Sequence, residues 1–131
     1  MEYFRKIKTS TTEQNLQNQL RLSNLENITS EIFSLEEPFG NEAQIGGLWG
    51  EFTLSRSEIK GGVRFALLEC PNALCWTVTT GYPPDRESII IHLTINRQEK
   101  RKEFVEEISD LLDDMTEKLK DLFSSEKLMA D

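Results

Sequence analysis

Ser88-Ile-Ile-Ile-His-Leu-Thr-Ile95 is the stretch on which the fold turns. It is dense in β-branched residues, is bounded upstream by Gly81-Tyr-Pro-Pro-Asp85, and reads as a buried strand. The segment after it has a different period. Val105, Ile108, Leu111, Leu112, Met115, Leu119 and Leu122 recur at steps of three and four, the stripe of an amphipathic helix. The pattern predicts a helix from about Arg97 to Phe123, with Asn96 as its cap and Glu99 three residues on as its partner. Ser124–Asp131 reads as a frayed tail.

Working back from Ser88, turn signals divide the middle of the chain. Pro71-Asn72-Ala73 and Gly61-Gly62 are breakers. Between them lie Leu74–Thr80 and Val63–Glu69, and before them Leu48–Leu54, each rich in strand formers. Four strands with connections this short form an antiparallel meander, because parallel neighbours need long crossovers. Pro38-Phe-Gly-Asn41 and Gly46-Gly47 make 38–47 a loop.

Nearer the start, Thr11-Thr-Glu-Gln14 has the form of a capping box, and a helix is expected over Thr12–Leu22. Residues 23–37 stay open between a continued helix, through Leu25, Ile28, Ile32 and Leu35, and a strand at Glu31–Leu35. Residues 1–10 read as a tail. The expectation is one α+β domain over 1–131, ordered α-β-β-β-β-α: a four-stranded meander with an N-terminal helix and a long C-terminal amphipathic helix, in two layers.

Composition narrows the function classes. Fifteen Lys and Arg stand against 23 Asp and Glu, a net charge of −8. Direct binding of nucleic acid, which relies on clustered basic residues against phosphates, is not expected. The longest apolar runs, Phe65–Leu68 and Ile89–Ile91, fall far short of a membrane span. The opening Met1-Glu-Tyr-Phe-Arg-Lys6 lacks the apolar core of a secretory signal, so a cytoplasmic location is expected.

Chemistry-bearing residues are few. Cys70 and Cys75 bracket the Pro71–Ala73 turn, where ordinary half-buried thiols are the first expectation and a redox role the second. With two cysteines and the single histidine His92, a structural zinc within one chain lacks ligands, and no metal or cofactor is expected. Cys75 with His92 is the one nucleophile–base pair worth weighing. Asn27-Ile-Thr29 matches a glycosylation sequon, and Tyr82-Pro83-Pro84 makes a stiff turn. Along the last helix, Glu106, Asp110, Asp113, Asp114 and Glu117 form a ladder opposite the leucine stripe, where like charges at three and four cost some helix stability.

These features point to a non-catalytic acidic module of adaptor, chaperone or inhibitor type that binds a basic protein through the ladder or an exposed sheet edge. The alternative is a small-molecule site between sheet and C-terminal helix, lined by Trp49, Phe52, Phe65, Trp76 and Leu112. A homodimer is expected if the helices leave part of the sheet bare. The helix–sheet–helix order and acidic balance resemble frataxins in outline. The small size, low pI and acidic C-terminal helix resemble type III secretion chaperones. Neither is matched residue by residue.

Overall fold

In the computed structural model, residues 1–96 and 100–130 are described, the side chains of 125–130 excepted. Seven strands, not four, form one antiparallel sheet. They are β1 (Glu2–Ile7), β2 (Ile32–Ser34), β3 (Glu42–Gly47), β4 (Gly50–Ile59), β5 (Gly62–Leu67), β6 (Cys75–Thr80) and β7 (Ile89–Thr94), in the spatial order β1-β7-β6-β5-β4-β3-β2. Helix α1 (Glu13–Gln19) and a 3₁₀ segment (Leu22–Asn27) join β1 to β2, and α2 (Lys102–Ala130) follows β7.

The expected meander is the centre of this sheet, β4 through β7. Three strands extend it. Glu2–Ile7, expected as a tail, pairs with β7 over its whole length, from Glu2 opposite Thr94 to Ile7 opposite Ile89. Charge disguises its alternation: Tyr3, Arg5 and Ile7 are the more buried positions, and the Arg5 guanidinium is satisfied there by Asp113 and Ser109 of α2. At the other end, the expected strand Leu48–Leu54 proves to start inside a hairpin. Leu48 and Trp49 are its turn between β3 and β4, and Gly50 follows with φ +118°, a conformation open to glycine. Gly46-Gly47, which read as breakers, lie within β3 because its neighbours approach closely. A Cβ on Gly46 would meet the Phe33 ring at 2.9 Å, and one on Gly47 the Glu31 carbonyl at 2.5 Å.

The first helix is shorter than expected. Its cap is Thr12, whose Oγ1 accepts from the Asn15 N–H at 3.1 Å. The chain then tightens into the 3₁₀ segment, kinks at Asn24 (φ −135°, ψ 44°), and enters β2, so 23–37 holds a strand rather than a continued helix. Asn96 does not cap α2: its side chain donates to the Pro71 carbonyl at 2.8 Å. The expected helix start at Arg97 and the Glu99 half of its box lie outside the described residues. Helical backbone runs on to Ala130, through the stretch expected to fray.

All helical segments cover one face of the sheet. Leu16 and Leu20 of α1, Leu22 and Leu25 of the 3₁₀ segment, and Ile108, Leu111, Leu112, Met115, Leu119 and Phe123 of α2 join the inward residues of the strands in one buried cluster. These include Val63 and Phe65 of β5, Trp76 and Val78 of β6, and Ile89, Ile91 and Leu93 of β7. At roughly 1.5–3 kcal/mol for each fully buried large side chain, this cluster is the main stabilising term. The outer face carries Phe4, Arg64 and His92 uncovered or half-covered.

Candidate functional site

The acidic ladder is not one surface. Glu106, Asp110 and Glu117 stay exposed. Asp113 is taken by β1: Arg5 Nε donates to its Oδ1 at 3.2 Å, while Nη2 donates to Ser109 Oγ at 3.2 Å and Nη1 to the Phe4 carbonyl at 3.0 Å. Asp114 is taken by the approach to β2. It accepts from Thr29 Oγ1 at 2.5 Å, from the Ser30 N–H at 2.7 Å and from Ser30 Oγ at 2.8 Å. Burial pushes the Asp114 carboxyl up, but the bonds from Thr29 and Ser30, helped by Lys118, outweigh it and hold it below the ordinary aspartate range. Thr29 of the sequon match is thereby accounted for: it is 1% exposed and fixed on Asp114. Two consecutive aspartates therefore fasten opposite ends of the sheet to the same turn of α2, and the sheet curls about that helix.

The five residues of the alternative ligand pocket are mostly core. Phe65, Trp76 and Leu112 are at most 1% exposed, with Phe65 stacked on Trp76 at a centroid distance of 5.2 Å. Trp49 is half-buried against Phe104, ring centroids 5.4 Å apart. The space beside Trp49 and Phe52 is an apolar void of about 10 Å³, a water's worth of room at most.

Cys75 and His92 share the outer face but not a partnership. Cys75 lies opposite Thr94, its Sγ 3.1 Å from Thr94 Oγ1. His92 lies opposite Thr77, stacks on Phe4 at 4.3 Å and bonds Glu2 through Nε2 at 3.0 Å. Cys70 and Cys75 are free thiols. Among the described residues no group of three His, Cys, Asp or Glu side chains is placed to hold a metal ion.

The surface that the sequence did not single out lies at the β2 end. Phe33 is 55%, Leu35 44% and Phe39 91% exposed. Phe33 and Leu35 lie over Gly46 on the outer face, and Phe39 caps the tight bend that leads into β3, exchanging both backbone bonds with Glu42. Around them stand Glu31, Glu36, Glu37 and Glu42. The register makes this edge open. Phe33 pairs with Gly46, and the Leu35 N–H donates to the Gln44 carbonyl at 2.9 Å. By the antiparallel alternation, Ile32 and Ser34 then direct their backbone groups away from β3. The alternation of Ile32, Phe33, Ser34 and Leu35 was the available signal. It did not say which face would be covered.

No family model matches the chain, and no curated protein does. Solved structures do. The chain is similar to an uncharacterized protein from Bacillus thuringiensis, with a TM-score of 0.64 at 10% identity, covering 94% of this chain and 98% of that one. It is also similar to the protein XoxI from Bacillus cereus, with a TM-score of 0.63 at 14% identity, covering 97% and 96%. At these identities the likeness is one of fold.

Proposed function

We propose that the chain is a non-catalytic protein-binding module, of adaptor, chaperone or inhibitor type, that receives a basic partner at the β2 end of its sheet. The observation that carries this is the exposure of Phe33, Leu35 and Phe39 within one short segment that also holds Glu31, Glu36, Glu37 and Glu42. Large exposed apolar side chains bordered by charge are a usual mark of a protein contact. The glutamates favour a partner with Lys or Arg and give the encounter a salt dependence. The exposed ladder members Glu106, Asp110 and Glu117 add to the negative field without forming a socket of their own. Free thiols at Cys70 and Cys75 fit a reducing compartment, in keeping with a cytoplasmic location.

The test is capture from native lysate by three tagged forms of the chain, washed at low and at high salt. These are the wild type, Phe33→Ser with Phe39→Ser, and Glu106→Gln with Asp110→Asn and Glu117→Gln. A partner held by the wild type, lost from the aromatic variant and weakened by salt supports the reading. A partner held equally by the aromatic variant refutes the β2 surface.

A further inference from the structure

A groove runs beside the open edge of β2, between that strand and the 3₁₀ segment. Its wider part, about 690 Å³, is bounded by Ser23, Ser34, Leu35, Glu36, Glu37 and Pro38. Its narrower part, about 230 Å³, is bounded by Arg21, Gly40, Asn41 and Arg56. Ser23 and Pro38 line both, so the two parts are neighbours. The wider part alone falls within the usual range of binding clefts.

The two ends carry opposite charge. Glu36 and Glu37 stand at one. Arg21 and Arg56 stand at the other, in a chain whose net charge is −8. The Arg56 guanidinium is held in place: Nε donates to the Leu20 carbonyl and Nη2 to the Gln17 carbonyl, both at 2.7 Å. Its Nη2 also lies 3.5 Å from the exposed carboxylate of Glu58. Arg21 is anchored at the same end of α1, its Nε on the Asn18 carbonyl at 2.9 Å. Where the groove passes β2 it is lined by Ser34, whose backbone groups face outward from the sheet edge.

We infer that this groove receives the carboxyl-terminal segment of an extended partner chain. Its backbone adds to β2, a basic side chain faces Glu36 and Glu37, and its terminal carboxylate sits between Arg21 and Arg56. This rests on the binding-module reading and gives it a mode. Strand addition supplies main-chain bonds, and carboxylate capture sets the register. A second copy of this chain fits the groove less well, because it would bring another net charge of −8 against this one.

The test uses a display library of random octapeptides with free carboxyl termini, selected on the wild-type chain. Enriched peptides are resynthesised as the free acid, as the carboxamide, and with an N-methyl group in the penultimate peptide bond. Affinities are read by fluorescence polarisation. The inference expects Lys or Arg two to four residues before the terminus. It also expects a loss of about ten-fold or more on amidation, and a similar loss for the free acid on Arg21→Glu, a substitution at an exposed side chain. No enrichment over bare matrix overturns it, as does equal binding of acid and carboxamide. If acid and carboxamide bind equally but Phe33→Ser abolishes both, the β2 surface stands and the groove does not. A dimer in sedimentation that blocks peptide binding overturns the inference in favour of a second copy.

Discussion

The sheet has two edges, and they are finished in opposite ways. At the β1 edge the ladder with β7 extends over all six residues of the strand and beyond it, as Met1 and Ile95 exchange backbone bonds. Glu2 and Lys6 put charge along it, and Arg5 folds back to cover the Phe4 carbonyl. These are the devices by which a sheet discourages addition of a further strand. The β2 edge is limited by its length of three residues, and it leaves a large aromatic uncovered on its outer face and a groove beside it. Yet the same turn of α2 holds both, through Asp113 on Arg5 and Asp114 on Thr29 and Ser30. The β2 end is thus tied to the helix, as the β1 end is, while being left accessible, which is the combination a binding edge needs.

The largest effect that tests this contrast is in the core beneath each edge. Ile7 and Ile32 are 3% and 5% exposed, and replacing either with alanine is expected to cost about 2–5 kcal/mol in urea unfolding. A cost below about 1 kcal/mol for Ile32→Ala alone would mean that β2 is a loose appendage, contrary to the picture of a firm edge. Next is Asp114→Asn, expected to cost on the order of 1–3 kcal/mol at neutral pH because it weakens charge-assisted bonds to Thr29 and Ser30.

Its pH dependence is specific. The Asp114 carboxyl is lowered when folded, so its contribution is complete above the ordinary value of 3.8 and fades as pH falls below it. The stability gap between wild type and Asp114→Asn is therefore expected to be constant from pH 7 to about 5 and to close below about pH 4. A gap unchanged at about pH 3 would remove the ionic account.

Asp113→Asn should do far less, about 0–1 kcal/mol, since its bond to Arg5 is between solvent-exposed groups. The smallest effect belongs to Phe33→Ser, within about 0.5 kcal/mol of wild type in stability. A large destabilisation there would show that the ring over Gly46 serves the fold rather than a partner.

How much of this could be read beforehand depends on the physics of each segment. The β4–β7 meander was legible because Ile89–Ile91, Val63 and Phe65 lie in runs bounded by turn residues that need no tertiary help. The α2 stripe was legible for the same reason. The outer strands were not. Arg5 on an inward position breaks the alternation of β1 until Asp113 and Ser109 are seen to receive it. Gly46 and Gly47 signal a break until a neighbouring ring and carbonyl show why no side chain fits there. The ladder misleads for a related reason. Spacing places Asp113 and Asp114 on one side of a helix, whereas their roles depend on which strand end comes to meet each, and that is fixed by residues more than 80 positions away.

The pairing of β1 with β7 bears on how the chain is made. On a ribosome the first strand emerges early, but the strand it must join is the last to appear, and the helix that lines the sheet comes later still. Until then the leading segment has no place to settle, and the inward side chains of β5 and β6 have only α1, made before them, for cover. Completion of this domain is thus a late, almost simultaneous event, the closing of a long loop that rewards nothing until its ends meet. A cell making it in quantity should need its holdase chaperones most in that interval.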